Sequence, residues 1–350
     1  MLPPLVIPFF IPHYGCPQRC TFCNQTVITG RAEGAIPGAV EIAATIESYL
    51  ATKSAGRGET QVAFFGGSFS GLPEALQDRL LVAVAPYLAS GQVAGIRIST
   101  RPDYLDPARI AFLKERGVTM VELGVQSLDE AVLAGCGRGH AAADSLQAIG
   151  LLQAAGVRVG VQLMVGLPGE MTGRILAGAR TLALLKPEVA RLYPALVLKG
   201  SRLATDYLAG SYQPLGLTKA VALCARLREI FLAQGVRVVR IGLQETDGLA
   251  GEVLAGPHHP AFGELVLSWS LHRRLRKLLA VKNGGSRQLI ISAADQSVFR
   301  GPGNSCRDAL RRKGFLEVVE VVFRSGEPRG EVKLESENLR KKLIFMVSHT

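Results

Sequence analysis

The sequence predicts an α/β fold in which a partial (β/α) barrel is followed by a small basic α/β module. Short β-branched or apolar runs alternate with longer amphipathic runs, which is typical of βαβ units around a parallel sheet. Prolines lie near predicted helix starts and glycines follow predicted helix ends, as at Pro107 and Gly117. The glycine-rich and polar motifs follow predicted strands, where a β/α barrel gathers its functional loops.

Seven strands and six helices of the barrel are assigned in chain order. The strands are predicted at residues 5–11, 61–65, 95–99, 119–123, 158–164, 189–193 and 236–241. The helices between them are predicted at residues 38–52, 73–88, 107–116, 142–155, 172–185 and 218–234. Right-handed crossovers between such strands form a partial or full barrel, so residues 1–250 are predicted to be one core domain.

A second, smaller domain is predicted at residues 251–350, because 350 residues exceed the usual size of one domain. The run from Gly256 to Pro260 marks the boundary. His258 and His259 within it are interpreted as loop or packing residues rather than a metal site, since adjacent side chains seldom face one ion. Strands are predicted at 288–292 and 316–323, with a basic helix at 305–313.

Positive charge is concentrated in the C-terminal part of the chain. Residues 271–350 contain 17 Lys and Arg against 8 Asp and Glu, whereas residues 1–270 contain 23 against 21. The excess is grouped at 273–277, 311–313 and 340–342. A concentrated basic surface indicates a polyanionic partner, so RNA is predicted to bind the C-terminal domain. The alternative interpretation is a set of solvated helix faces.

Three cysteines near the N-terminus form the most specific chemical motif. Cys16, Cys20 and Cys23 are spaced C-x3-C-x2-C, with Phe22 just before the third. Three such thiolates can ligate three irons of a 4Fe-4S cluster and leave the fourth iron open to a small molecule. A zinc knuckle is the alternative, but closed zinc sites need four ligands and the sequence has no second C-x2-C. A thiolate-bound cluster needs a reducing compartment, which predicts a cytoplasmic location.

Four further motifs follow predicted strands of the barrel. Gly66-Gly67-Ser68 allows close backbone approach to a ligand, although a double glycine also suits a simple tight turn. Arg101 and Gln126 are polar groups at strand mouths, where ribose and carboxylate groups need hydrogen-bond partners. Arg101 has the alternative of a surface salt bridge with Asp103. Gly166-Leu167-Pro168-Gly169 lacks the Walker Lys-Ser and the third glycine of the Rossmann motif.

These motifs resemble the radical S-adenosylmethionine (SAM) superfamily, and more narrowly the radical SAM core of the elongator complex catalytic subunit and its short bacterial relatives. The resemblance covers roughly residues 5–245. It is carried by the phrases His13-Tyr14-Gly15-Cys16-Pro17, Phe65-Gly66-Gly67-Ser68-Phe69-Ser70-Gly71-Leu72, Ser99-Thr100-Arg101-Pro102-Asp103-Tyr104, Val121-Glu122-Leu123-Gly124-Val125-Gln126-Ser127, Arg138-Gly139-His140, Gly166-Leu167-Pro168-Gly169 and Leu192-Tyr193-Pro194-Ala195-Leu196-Val197.

The resemblance implies a cofactor, a reaction and a set of site residues. Cys16, Cys20 and Cys23 are implied to hold the 4Fe-4S cluster, whose open iron chelates SAM and whose electron cleaves it to a 5'-deoxyadenosyl radical. The residues implied to hold SAM are Gly66, Gly67, Ser68, Arg101, Gln126, Gly166 and Pro168. The candidates for lining the substrate side, and for catalytic roles, are Tyr14, His140 and Tyr193.

The resemblance also predicts a substrate. Full-length members modify the wobble uridine of tRNA at C5, using an acetyl donor bound by an acetyltransferase domain after the barrel. Here only about a hundred residues follow the barrel, and they contain no R-x-x-G-x-G/A phosphate loop. The sequence therefore predicts a radical SAM enzyme that acts on RNA, with tRNA as the expected substrate, and it leaves the use of acetyl-coenzyme A open.

Two alternatives stay open at this point. One keeps the cluster and SAM but acts on a small metabolite or tetrapyrrole, and the other is a non-catalytic RNA-binding protein with a structural metal site. A flavodoxin- or ferredoxin-type protein is the predicted electron donor. No membrane partner is expected, because the apolar opening contains Pro3, Pro4, Pro8 and Pro12 and lacks the basic flank of a signal peptide.

Overall fold

The computed structural model describes residues 4–17, 19–54, 56–244, 248–280, 287–317, 319–336 and 339–344. Within these ranges a seven-stranded, all-parallel sheet forms, in the spatial order β1-β2-β3-β4-β5-β6-β8. Its strands are β1 Leu5–Ile11, β2 Thr60–Gly66, β3 Gly95–Thr100, β4 Val118–Gln126, β5 Arg158–Val165, β6 Val189–Pro194 and β8 Arg237–Ile241. The curled half-barrel confirms the predicted α/β class and all seven predicted strands.

Helices cover the outer face of this sheet. Those of the barrel region are α1 Gln25–Thr29, α2 Ala39–Ala51, α3 Glu74–Val82, α4 Ala85–Ala89, α5 Pro107–Glu115, α6 Glu130–Gly135, α7 Ala142–Ala154, α8 Thr172–Leu184, α9 Arg202–Leu208 and α10 Leu217–Ala233. The single helix predicted at 73–88 is wrong, because two helices occupy this segment. Pro86 has no N–H to donate to the carbonyl of Val82, so the first helix cannot continue through it.

The core lies between the sheet and these helices. Along each strand alternate residues point outward into it, so Phe9 and Phe64 stack with ring centroids 5.6 Å apart. Phe69 extends this stack from the loop after β2, at 5.3 Å from Phe64. The remaining residues of each strand face the inside of the half-barrel. In the described chain β1 and β8 have no strand pairing on their outer sides, which leaves the barrel open there.

The C-terminal module has a four-stranded sheet in the order β11-β10-β12-β13. A separate two-stranded pair precedes it, formed by β7 Val197–Leu198 and β9 Val253–Ala255, with α11 Leu249–Glu252 just before β9. The remaining elements are α12 Phe262–Leu279, β10 Arg287–Ser292, α13 Gln296–Arg300, α14 Ser305–Arg312, β11 Val319–Arg324, β12 Glu331–Ser336 and β13 Leu339–Ile344. The predicted small α/β module is present, although sequence reasoning missed its last two strands. Helix α12 places Val266 in the barrel core and Leu275 in the module core, so one helix joins both units.

No described helix combines the length and apolar composition needed to cross a bilayer.

Candidate functional site

The cysteine loop is held against the double-glycine loop by their backbones. Gly67 N–H donates to the Ile11 carbonyl at 2.8 Å, and Ser68 N–H donates to the Tyr14 carbonyl at 3.1 Å. A Cβ on Gly67 would lie 1.9 Å from the Tyr14 oxygen, and one on Gly15 would lie 2.1 Å from the Ser68 oxygen. Glycine is therefore needed on both sides of this contact. This contact between the two loops positions the cysteine loop at the carboxyl ends of β1 and β2.

The three predicted cluster ligands share one environment. Cys20 is buried, Cys16 and Cys23 are half-buried, and none forms a disulfide. Burial, together with the neighbouring Cys20 and Cys16 thiols, raises the pKa of Cys23 to about 12. Burial also raises the pKa of Cys16, which the Arg138 guanidinium partly offsets. Metal binding by these thiols must therefore release protons.

The arrangement of the three cysteines is compatible with a cluster. Among the residues that the structure describes, no three His, Cys, Asp or Glu side chains meet at a point where a single metal ion could bind. A cubane contacts each of its cysteines through a different iron, so its ligands need not meet at one point. Their assignment as cluster ligands stays a prediction.

Arg138 is a site residue that the candidate set missed. Its Nη1 donates to Cys20 Sγ at 3.4 Å and its Nη2 to the Gly124 carbonyl at 2.5 Å. Its Nε is buried without a hydrogen-bond partner. Two residues earlier, the Cys136 carbonyl accepts from Thr21 N–H at 2.9 Å, so this segment braces the cysteine loop. In the sequence, the Arg-Gly-His motif that begins at Arg138 was the signal that could have identified it.

Ser68 and Arg101 occupy the mouths of β2 and β3. The Ser68 hydroxyl lies 2.9 Å from Thr100 Oγ1 and accepts from Arg101 N–H at 3.0 Å, so it fixes the Arg101 loop. Arg101 donates to both carboxylate oxygens of Asp103, at 2.9 and 2.7 Å. The salt bridge between Arg101 and Asp103, predicted as the alternative, is therefore present. It is not on the surface, because the Arg101 side chain is only 3% exposed. Its Nη1 has no partner and is buried.

Gln126 ends β4 in an unusual conformation. Its φ is +65°, in the left-handed region that a non-glycine residue rarely adopts, and the pairing of β4 with β5 shifts register just before it. The side chain is buried, and its Oε1 accepts from Gln162 Nε2 at 3.2 Å. Gln162 on β5 was not predicted. The two amides thus lie side by side within the barrel, available to a ligand that carries hydroxyl groups.

The loop after β5 is closed by its own carboxylate. Glu170 Oε2 accepts from Gly166 N–H at 2.6 Å, and the Gly166 carbonyl accepts from the Tyr212 hydroxyl at 2.7 Å. Leu167 is buried with Met164 in an apolar cluster, while Pro168 in the same turn is half-buried. Burial raises the pKa of Glu170 to about 7.

Replacing Glu170 with Gln is expected to change how stability depends on pH. A buried carboxyl with a raised pKa favours the folded state while it is protonated, and this contribution is lost as pH rises from about 4.5 through about 7. The wild type and the variant should therefore unfold alike in urea at pH 4, with the variant about 3 kcal/mol more stable at pH 8.5. Parallel pH profiles would contradict this prediction. The exposed Glu115, replaced with Gln, serves as the control.

The three predicted substrate-side residues differ in exposure. His140 is buried, neither ring nitrogen has a partner, and burial lowers its pKa to about 4, assisted by Arg138. Tyr193 packs near Phe22, and its hydroxyl accepts from Arg191 Nη1 at 3.3 Å. Tyr14 is 39% exposed on the cysteine loop. All three lie at the same end of the barrel, and their roles stay predictions.

Family models match most of this arrangement. The model of the radical SAM superfamily matches residues 10–177, which include the cysteine loop and the loops after β2 to β5. The model of the radical SAM C-terminal domain matches residues 187–270.

Individual relatives agree with the family models. The tRNA uridine(34) acetyltransferase of Methanocaldococcus infernus is 31% identical over 191 residues, covering 54% of this chain and 35% of that protein. Elongator complex protein 3 of Homo sapiens is 27% identical over 224 residues, covering 58% of this chain and 40% of that protein. The chain thus spans less than half the length of these relatives.

A solved structure shows the same fold. Elp3 of Methanocaldococcus infernus with an N-terminal deletion superposes with a TM-score of 0.63 and 21% identity. The match covers 95% of this chain and 74% of that one, so it extends beyond the barrel.

Proposed function

This chain belongs to the radical SAM superfamily, and we propose that it is a SAM-cleaving enzyme that modifies the wobble uridine of tRNA. Enzymes of the superfamily use a 4Fe-4S cluster and SAM. The observation that carries the proposal is the three-cysteine loop held at the carboxyl ends of the barrel strands, within the segment that the superfamily model matches.

The residues present fit both cofactors. We assign the cluster to Cys16, Cys20 and Cys23. Two buried guanidinium N–H groups, Arg101 Nη1 and Arg138 Nε, have no partner, and a bound carboxylate would satisfy them. We assign the remaining SAM contacts to Gly66, Gly67, Ser68, Gln126, Gly166 and Pro168. When bound, the cluster supplies the electron that cleaves SAM to methionine and a 5'-deoxyadenosyl radical.

The tRNA substrate is supported by relatives and by charge. Two archaeal relatives and one bacterial relative carry the name tRNA uridine(34) acetyltransferase. The predicted basic groups, however, are not equally available. Arg273 and Arg274 pair with Glu229 of α10 and so help to join the module to the barrel, while Lys342 pairs with Glu331.

A basic patch forms where α12 and α14 end together. It consists of Arg276, Lys277, Arg311, Arg312 and Lys313, all of which are exposed. Burial lowers the pKa of His272, and Arg276 and Lys313 both lie close enough to lower it further, so the two helix ends are adjacent. No carboxylate in the described ranges forms an ion pair with any member of the patch. These five charges are therefore free to contact phosphates.

Neutralising the basic patch is expected to weaken tRNA binding and its salt dependence. Each lost phosphate contact lowers the slope of log K against log salt by about 0.7 to 0.9, so replacing all five residues with Gln should reduce the slope by about 3.5 to 4.5. Fluorescence anisotropy with labelled tRNA between 50 and 300 mM KCl measures the binding constant and this slope.

A matched control removes the same charge elsewhere. It replaces three Arg and two Lys on the outer helices and loops of the barrel with Gln, namely Arg79, Arg180, Lys186, Lys219 and Arg226. An equal fall in slope for both variants would show nonspecific attraction and remove the patch from the proposal.

Two experiments test the function itself. Anaerobic reconstitution, with reduction by dithionite or by a flavodoxin- or ferredoxin-type donor, should give 5'-deoxyadenosine from SAM. Nucleoside analysis of tRNA from cells lacking the protein should show loss of a uridine-34 modification. SAM cleavage with an unchanged tRNA profile would reject the tRNA substrate and favour a small-molecule one.

A further inference from the structure

The inside of the half-barrel carries a charged cluster that the proposed cofactor contacts do not use. It consists of Arg97 on β3, Glu122 on β4 and Arg191 on β6. The residues before and after each of them along the strand lie in the core between sheet and helices, so these three side chains point to the opposite, inner face. A Cβ on Gly160 of β5 would lie 2.9 Å from Glu122 Cγ. Glycine there lets Arg191 reach Glu122 across the intervening strand.

Positive charge exceeds negative charge in this cluster. Glu122 Oε1 accepts from Arg97 Nη1 and from Arg191 Nη2, both at 2.9 Å, so one carboxylate serves two guanidinium groups. Arg97 also donates to Gln61 Oε1 at 2.7 Å, which adds no negative charge. Arg240 on β8 pairs in register with Arg191. In the described ranges its side chain meets the neutral Gln244, at 3.1 Å, and no carboxylate.

The charged groups at the opposite end of the barrel are balanced. At the amino ends of the strands, Arg158 pairs with Glu59 and Glu188, and Arg237 also pairs with Glu188. Two arginines there meet two carboxylates. The excess of arginine inside the barrel is therefore a local feature, and packing of the sheet alone does not require it.

Arg191 is also the most accessible member of the cluster. Its side chain is 17% exposed, against 7% for Arg97 and 5% for Glu122. The guanidinium carbon lies 4.8 Å from the centre of the Phe65 ring. The Tyr193 hydroxyl, which accepts from this guanidinium, lies on the side nearer the mouth of the barrel. Stacking and the Glu122 contacts hold the guanidinium in one orientation, which suits recognition of a planar or tetrahedral anion.

We propose that Arg191, Arg240 and Tyr193 form an anion subsite inside the barrel, which binds a phosphate or carboxylate group of the substrate. The subsite deepens the proposed function, on which it rests, by naming the substrate group that would hold the reacting atom near the cysteine loop. For a tRNA substrate this group is the phosphate of the modified nucleotide. For a metabolite it is a carboxylate. Either group would supply the negative charge that balances the excess guanidinium charge in the barrel.

Thermal unfolding of the full chain with inorganic phosphate or malonate, at constant ionic strength, tests the subsite. Either anion at ten times its Kd should raise the wild-type Tm by about 2 °C. Arg240→Gln and Tyr193→Phe should lose most of that shift. Arg191→Lys should reduce it, because lysine lacks the paired N–H donors of a guanidinium group. Arg237→Gln removes the same charge from the same strand, at its amino end, and should keep the wild-type shift.

The two anions separate the sources of the group. A shift with phosphate alone supports a nucleotide phosphate, and a shift with malonate alone supports a metabolite carboxylate. The subsite is refuted if neither anion shifts the wild type, or if Arg240→Gln and Arg237→Gln respond equally. If tRNA does not bind the protein but the anion shift still depends on Arg240 and Tyr193, the proposed function fails and the subsite stands.

Discussion

Replacing Cys16, Cys20 or Cys23 with Ala, one at a time, is expected to remove the iron–sulfur cluster and with it all SAM cleavage. The wild type, reconstituted anaerobically, should be brown, with about four iron and four sulfide per chain. Each variant should lose most of this iron, and 5'-deoxyadenosine should fall below detection, because two thiolates cannot hold a cubane with one open iron. Iron and sulfide analysis with absorbance near 400 nm measures the first effect.

Cys306 provides the matched control, since it is also a half-buried, unpaired cysteine but lies in the C-terminal module. Its replacement with Ala should leave iron content and SAM cleavage unchanged. Stoichiometric zinc in the wild type, lost in the same three variants, would overturn the cluster and support the zinc-site alternative.

Replacing Gly67 with Ala is expected to separate the two loops that form the site. The new Cβ would lie 1.9 Å from the Tyr14 carbonyl oxygen, a backbone atom that no side-chain rotation can move away. The Tyr14 backbone must therefore shift, carrying Cys16 with it, at a cost of about 3 kcal/mol in the free energy of unfolding. Urea denaturation measures the cost, and the iron content after reconstitution should fall in parallel.

Gly150 in α7 is the control for this substitution. A Cβ there has nothing within 4 Å, so Gly150→Ala should stabilise the protein by up to about 1 kcal/mol through helix propensity alone. If Gly67→Ala unfolded at the wild-type urea concentration and kept its iron, the loop contact would not be needed to position the cysteines.

Much of the fold could be predicted because its signals are local. The strands follow from short apolar runs, and the sequence boundaries differ from the observed ones by a few residues; within the barrel the largest difference is at β4, which continues to Gln126. That extension depends on a register shift against β5 and on the left-handed φ of Gln126, neither of which leaves a pattern in the sequence. The break at Pro86 had a local signal that the helix prediction did not use.

The candidate site was predictable to the same extent. The cysteines, the double glycine and the Gly166 turn are contiguous motifs, so the sequence alone identified them. Arg138 lies 118 positions from Cys20, and nothing local indicates that its guanidinium reaches that sulfur. Similarly, composition shows the basic C-terminal domain, but only the tertiary contacts separate the paired Arg273 from the free Arg276.

The sequence by itself determined the order of the barrel elements, because periodicity along the chain encodes it, and its motifs, including the spacing of the three cysteines, were enough to identify the family. Only the tertiary structure decided which charges are compensated and which buried N–H groups lack a partner. These properties depend on side chains that approach from different strands, and so on how the parallel strands curl around a common interior.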